Sequence, residues 1–305
     1  MTGLSSRSAE TPPRWQAYAV LDLLSAWSLD PVPTAAVLLV AVACADAVRR
    51  LRSSGRRYPA GRLACFAAGL AVLVVALDGP PDVLSDSSFL AHMVQHMLLQ
   101  MVAAPLLLLG GPVTLLLRAD PPWLRRRVVV ALLRSRVVRG LTHPVVALAL
   151  FGVVLVGSHL SGLYQLALEH ESVHTAEHIV YLVTALLLWW PAVGVDPAAN
   201  RMSYPARVLY LFLMMPIPSL LGVAIADAGR VMYPWYATHL PVWGASALAD
   251  QRAAGTLMWV AAMFTAAPAL FVVGWKWLEA DERAQARSDA LRATRRAQQM
   301  AHQPR

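Results

Sequence analysis

Seven apolar stretches constrain this chain more than any other feature. They occupy residues 33–48, 61–77, 88–110, 144–160, 173–190, 206–225 and 254–277. About 20 mainly apolar residues suffice to cross a bilayer. A helix is the simplest way to pair every backbone N–H and C=O inside lipid. The 305 residues are 57% hydrophobic and only 14% charged, with positive mean hydropathy. Soluble domains carry about 25% charged residues. The expectation is an all-α, polytopic membrane bundle of about seven transmembrane helices.

The basic residues alternate with these stretches. Six arginines follow the first span and seven the third. Arg201 and Arg207 follow the fifth, and seven basic residues lie from Lys276 onward. Together these are 22 of the 26 Lys and Arg residues; only Arg7, Arg14, Arg230 and Arg252 fall on the other side. Cytoplasmic loops hold the excess of Lys and Arg, so the N-terminus is expected outside and the C-terminus inside. The chain divides into an external segment (1–32), a seven-span domain (33–277) and a cytoplasmic charged tail (278–305). An apolar patch at 18–27 reads as an interfacial helix or surface loop. Residues 123–138 read as an amphipathic helix on the anionic inner leaflet, and the tail as a charged helix. The net charge of +8 is absorbed by topology, so membrane lipid is expected as a partner and nucleic acid is not. Cys44 and Cys65 both fall inside spans, which does not suit a secreted disulfide framework. Residues 1–14 are polar, and no signal peptide is expected there. The bacterial cytoplasmic membrane is the expected location.

Chemistry concentrates in the third stretch, SFLAHMVQHMLLQMVAAPLLLLG. His92 and His96 are four residues apart, beside Met93, Met97 and Met101, and a helix brings such positions onto one face. A second run, HESVHTAEHIVY, repeats the spacing at His170, His174 and His178, with Glu177 beside them. With the expected orientation both runs lie near the outer surface, the first pair roughly 6–12 Å below it at about 1.5 Å per residue. Seven of the nine histidines gather on that side; His143 and His302 do not. Imidazole inside a membrane faces the bundle interior and marks function. Imidazole with thioether suits copper, in particular Cu(I), better than calcium or magnesium. The candidate ligands are His92, His96, His174, His178 and His170, with Met97 and Met258 at similar depth. Glu177 is the candidate carboxylate for orienting an imidazole. No catalysed reaction is expected, since delivery is a ligand exchange. Three other readings stay open. A b-type haem carrier needs histidines far apart along a helix. A copper permease like the CopD proteins needs polar groups reaching the inner surface. A structural scaffold needs only hydrogen-bonded histidines.

Three ordered blocks resemble a known family. HMVQHMLLQMVAAPLLLLGGP, SHLSGLYQLALEHESVHTAEHIVYLVTALLLWWP and MYPWYATHLPVWGASALADQRAAGTLMW are similar to motifs of the CtaG family of cytochrome c oxidase assembly factors, over about residues 78–277. The resemblance implies a seven-span protein acting in oxidase maturation through its copper. Its expected partners are oxidase subunits and periplasmic or extracellular copper chaperones. Histidine roles carry over to His92, His96, His159, His170, His174 and His178. Ala104-Pro105 stands where family members commonly have two prolines. An unrelated single-span copper chaperone shares the family's name, and this chain lacks its paired cysteines.

The arginine distribution makes a direct prediction. A reporter fused after Arg305 is expected in the cytoplasm and one inserted near Asp82 outside. Recovery of both on one side overturns the orientation.

Overall fold

Prolines and small polar residues start most of the helices. In a computed structural model, which describes residues 25–119, 127, 129–197, 200–241 and 243–301, helix α1 (Pro31–Ser53) opens with proline in its first turn. The N–H that proline lacks is not needed there, and the Asp30 carboxylate accepts from the Val32 N–H at 2.9 Å. Helices α2 (Ala60–Asp78) and α3 (Pro80–Ser85) follow. The next crossing is α4 (Phe89–Met97), a π-helical segment (Leu98–Ala103), α5 (Ala104–Leu109) and α6 (Pro112–Arg118). Short α7 (Val130–Arg134) and α8 (Arg136–Leu141) lead to α9 (Pro144–Leu160), which turns by 68° into α10 (Leu163–Glu169). Then come α11 (Glu171–Val193), α12 (Tyr204–Met214), α13 (Pro216–Asp227), α14 (Trp235–Thr238) and α15 (Ala247–Ala301). Among the described residues there is no strand.

Six stretches are long and apolar enough to cross a membrane: α1, α2–α3, α4–α6, α11, α12–α13 and α15. The bent pair α9–α10 brings the number to seven. Phe212, Leu220, Phe264 and Phe271 are 62–74% exposed, as lipid-facing side chains should be. The chain is a multi-pass membrane protein. Most of the patch at 18–27 and part of the amphipathic stretch 123–138 lie outside the described residues; the described remainder of the latter contains α7 and the start of α8. Helix α15 runs without interruption through 277/278, the expected boundary between the seventh span and the charged tail.

The third crossing departs from the single regular helix expected over residues 88–110. Its centre widens to i→i+5 bonding, seen where the Ala104 N–H reaches the Leu99 carbonyl. The next such bond would run from residue 105 to the Gln100 carbonyl, but residue 105 is proline and has no N–H. The indole N–H of Trp189 on α11 fills that place, donating to Gln100 O at 3.0 Å. A carbonyl left bare in a membrane interior is expensive. The proline, the wide turn and Trp189 therefore form one unit, which locks α11 against the third crossing.

Both ends of this crossing are anchored. At its start, Ser88 Oγ caps α4 by accepting from the Ala91 N–H and donates to Asp250 of α15 at 3.0 Å. The same carboxylate accepts from the Leu90 N–H at 3.1 Å. At the far end, Gly111 adopts a left-handed φ of 65°, and Tyr58 Oη lies 2.7 Å from both the Gly110 and Gly111 carbonyls. Asp196 caps α6 through the N–H groups of Val113 and Thr114.

Lipid supplies no hydrophobic drive between helices, so close van der Waals fit decides which ones associate. The tightest fit is at α13 and α15, where Gly222 and Gly255 face each other. A Cβ on Gly222 would lie 2.5 Å from the Gly255 carbonyl oxygen, and a Cβ on Gly255 meets the Gly222 carbonyl equally closely. Gly255→Ala must push the helices apart and is expected to lower stability in detergent by about 1–3 kcal/mol, the usual range for overpacking. Gly274→Ala, on the same helix with nothing within 4 Å, should melt at or slightly above wild type. Equal melting of the two variants removes the role given to the glycine crossing.

Candidate metal centre

The i, i+4 spacing does what the sequence suggests. His92 and His96 sit on α4, His174 and His178 on the first two turns of α11. Each of the four offers one ring nitrogen, and these nitrogens all lie within 4.8 Å of one another. His92 and His96 are fully buried, His178 is 8% exposed and His174 is half-buried. Ring centroids are 4.4 Å apart for His92–His96, 4.1 Å for His174–His178 and 4.9 Å for His92–His174.

Hydrogen bonds fix how the first pair is protonated. Tyr236 Oη donates its one hydrogen to the Ser85 carbonyl at 3.0 Å. Towards His92 Nδ1, also 3.0 Å away, it can only accept. His92 is therefore protonated at Nδ1, and its Nε2 lone pair faces His96 Nε2 at 3.0 Å. With no ion present, His96 supplies the proton between them. Burial pushes the Tyr236 phenol well above its usual range, so the donor stays intact. His96 Nδ1, His174 Nε2 and His178 Nε2 are buried and meet no hydrogen-bond partner among the described residues. An unpaired buried polar atom is destabilising by about 1–3 kcal/mol. A cation among the four rings would use the convergent lone pairs, and the shared proton could move to His96 Nδ1, which has no other partner. A tetrahedral ion with bonds of about 2.0–2.1 Å holds its ligand atoms about 3.3 Å apart. The four imidazoles thus fit one such ion after a small closure.

Aromatic rings cover the cluster from the end where α4 begins. Phe89, one turn before His92, packs on Tyr164, Tyr233 and Tyr236 at centroid distances of 5.7, 4.8 and 5.6 Å. His159, at the end of α9, stacks on Tyr164 at 5.2 Å and stands 6.5 Å from His96. Its Nδ1 lies 2.9 Å from the Leu155 carbonyl, to which it donates, while Nε2 has no partner among the described residues. Tyr181 hydrogen-bonds Ser158 beside it. Gln251 ties down the connection that carries Tyr233 and Tyr236: its Oε1 accepts from the Met232 N–H, and its Nε2 donates to the Ile225 and Arg230 carbonyls.

The convergent group does not include the other expected His and Glu ligands, His170 and Glu177. The His170 side chain is exposed; its backbone precedes α11 and its carbonyl accepts from the His174 N–H. Glu177 is half-buried, and its Oε2 meets no partner among the described residues. Met97 and Met258 are buried in the main core, and Met258 packs at the Gly222 crossing. Tyr236, which meets His92 Nδ1 at 3.0 Å, was not among the expected site residues. The signal was the aromatic run MYPWYATH, which tells nothing of which histidine it serves.

The family model described as cytochrome c oxidase caa3 assembly factor (Caa3_CtaG) matches residues 42–280. The chain belongs to this family. Proteins similar to it include an uncharacterised protein of Mycobacterium bovis, 31% identical over 284 residues, which are 90% of this chain and 42% of that protein. An uncharacterised protein of Mycobacterium leprae is 29% identical over 283 residues, 88% of this chain and 42% of that protein. The chain thus spans less than half the length of these curated relatives. No solved structure matches it.

Asp250 supports the cluster from a distance by holding the first turn of α4. Asp250→Ala leaves the Leu90 N–H and the Ser88 hydroxyl without their acceptor. The expected loss is about 1–3 kcal/mol, read as a lower melting temperature in detergent, with exposed Asp289→Ala as control. An unchanged melting temperature for Asp250→Ala removes that anchoring role.

Proposed function

We propose that this protein is a membrane assembly factor for cytochrome c oxidase that binds copper between α4 and α11 and supports its insertion into the oxidase. The observation that carries the reading is the convergence of four imidazole nitrogens within 4.8 Å in a buried part of the bundle. Family membership supports the client. His92, His96, His174 and His178 are the ligands, and Tyr236 orients His92 through Nδ1, as partners of metal-bound imidazole commonly do. Glu177 is the carboxylate nearest in sequence to His178 and serves to orient that part of α11. Met97 and Met258 belong to the surrounding core and favour the reduced ion through their polarisable sulfur. Copper is the cargo, so loading and delivery are ligand exchanges and no bond in a substrate is made or broken. The arginine pattern supports a site near the outer face, where extracellular or periplasmic copper chaperones can reach the protein. Oxidase subunits are the receiving partners.

The packing disfavours the haem reading. The imidazoles of α4 meet each other directly at 3.0 Å, and adjacent rings lie 4.1–4.9 Å apart, which leaves no slot for a macrocycle between them. A purely structural cluster is disfavoured by the three unpartnered nitrogens, because a scaffold gains nothing from leaving buried donors and acceptors bare.

The test is anaerobic reconstitution of the purified protein with Cu(I), followed by metal analysis and X-ray absorption. Imidazole scattering and a defined copper content are expected. Tyr236→Phe should lower copper affinity by about 10–100-fold, and His96→Ala or His174→Ala at least as much. His143→Ala should match wild type. Equal loss in all four variants indicates misfolding, and copper retention by a His96→Ala, His174→Ala double variant rejects the site.

A further inference from the structure

The aromatic cap closes the histidine cluster from the end of the bundle, yet His174 and His178 also line a cleft on its side. The cleft has a volume of about 1180 Å³. Its floor is the third crossing at Leu99 and Leu107; α1 and α2 form one wall and α11 the other. Along α11 it runs from Glu171 to Leu186, about 22 Å at roughly 1.5 Å per residue, so it follows most of the hydrocarbon thickness. Dividing volume by length leaves a mean cross-section of about 54 Å², about half that of a helix some 10–12 Å across. The cleft is therefore a groove that takes a helix along one face. Its walls are apolar and lipid-accessible: Val40 is 44% and Ile179 59% exposed. The two histidines lie in its upper part, about 5–10 Å along α11 from Glu171.

We propose that this groove is the docking site for a transmembrane helix of the client oxidase subunit, and that copper passes to that helix sideways, within the membrane, through His174 and His178. The inference rests on the copper reading above. Three observations select a protein helix as the occupant. The groove follows most of the length of a transmembrane segment, and side chains along it, Val40 and Ile179, are exposed. The most exposed of the four ligands, His174, is on the groove side, while His92 and His96 lie fully buried behind it. The mouth carries Asp30, Asp86, Glu169 and Glu171, whose charge opposes the phosphate of a lipid headgroup but not a helix with a neutral or basic flank. The recognised segment is thus apolar along its body and bears a nitrogen or sulfur ligand about one to two turns below its outer end.

The experiment places a photo-reactive benzoylphenylalanine at Val40, at Ile179 and, as control, at Phe264, which is 74% exposed and does not line the groove. Each variant is irradiated in membranes that also contain epitope-tagged oxidase subunits. Adducts of the Val40 and Ile179 probes with a tagged subunit, absent for Phe264, are expected. Adducts with lipid only, adducts with a second copy of this chain only, or equal yields at Phe264 overturn the proposal. A second arm fills the groove with Val40→Trp and Ile179→Trp. Loss of most oxidase activity is expected, with the copper content of the purified assembly factor unchanged. Full oxidase activity in both overturns the groove. If the wild-type protein binds no copper, the copper reading fails separately, and the cross-links still report whether the groove holds a client helix.

Discussion

A buried imidazole inside a membrane must find something for each of its nitrogens. That requirement organises the upper half of this bundle. Four histidines from two helices bring their rings together, and protein groups satisfy only part of them. Tyr236 takes one side of His92, Ser85 takes the Tyr236 hydrogen, and the fixed tautomer turns a lone pair inward. Asp250 and Gln251 on α15 then hold the two segments that carry this arrangement, the first turn of α4 and the Tyr233–Tyr236 connection. The elements around the site are tied by directed hydrogen bonds because lipid offers no competing water and no hydrophobic drive between helices. The nitrogens left over mark where the protein's own chemistry stops.

The third crossing obeys the same rule by a different route. Pro105 removes one donor, the helix widens ahead of it, and the carbonyl so released finds Trp189. A proline that looks like a disruption is thus a specific tie to α11, the other helix carrying ligands. One Trp–carbonyl bond helps set the register between the two histidine pairs. Of the pair Ala104-Pro105, which stands where family members commonly have two prolines, Pro105 is the residue with this role.

Much of this was legible in the sequence. Span positions follow from apolar run length, and the α9 boundaries coincide with the expected 144–160. The pairing of His92–His96 with His174–His178 follows from i, i+4 spacing at the common depth that the arginine pattern leads one to expect. What could not be read has physical reasons. The exposure of His170 depends on the chain entering α11 one residue later, which turns its ring away from the face that His174 and His178 share. The close approach of Gly222 and Gly255, beside which Met258 packs, is a tertiary fact that no period encodes. Tyr236 sits in a connection without periodicity, 144 residues from the histidine it serves. The bend between α9 and α10 falls at Ser161-Gly162, where polar residues end an apolar run without revealing the angle.

Helix α15 gives the molecule an unusual mechanical property. It begins with the residues that brace the histidine cluster, crosses the bilayer, and continues as one helix to Ala301. Its 55 residues span about 82 Å at roughly 1.5 Å per residue, far more than the 30 Å hydrocarbon layer. Its last two dozen residues, 278–301, include nine charged side chains and continue the helix for about 36 Å. A continuous helix resists twisting about its own axis. Asp250, which holds the first turn of α4, and the charged end near Ala301 thus belong to one helix, in which Pro268 removes a single backbone donor.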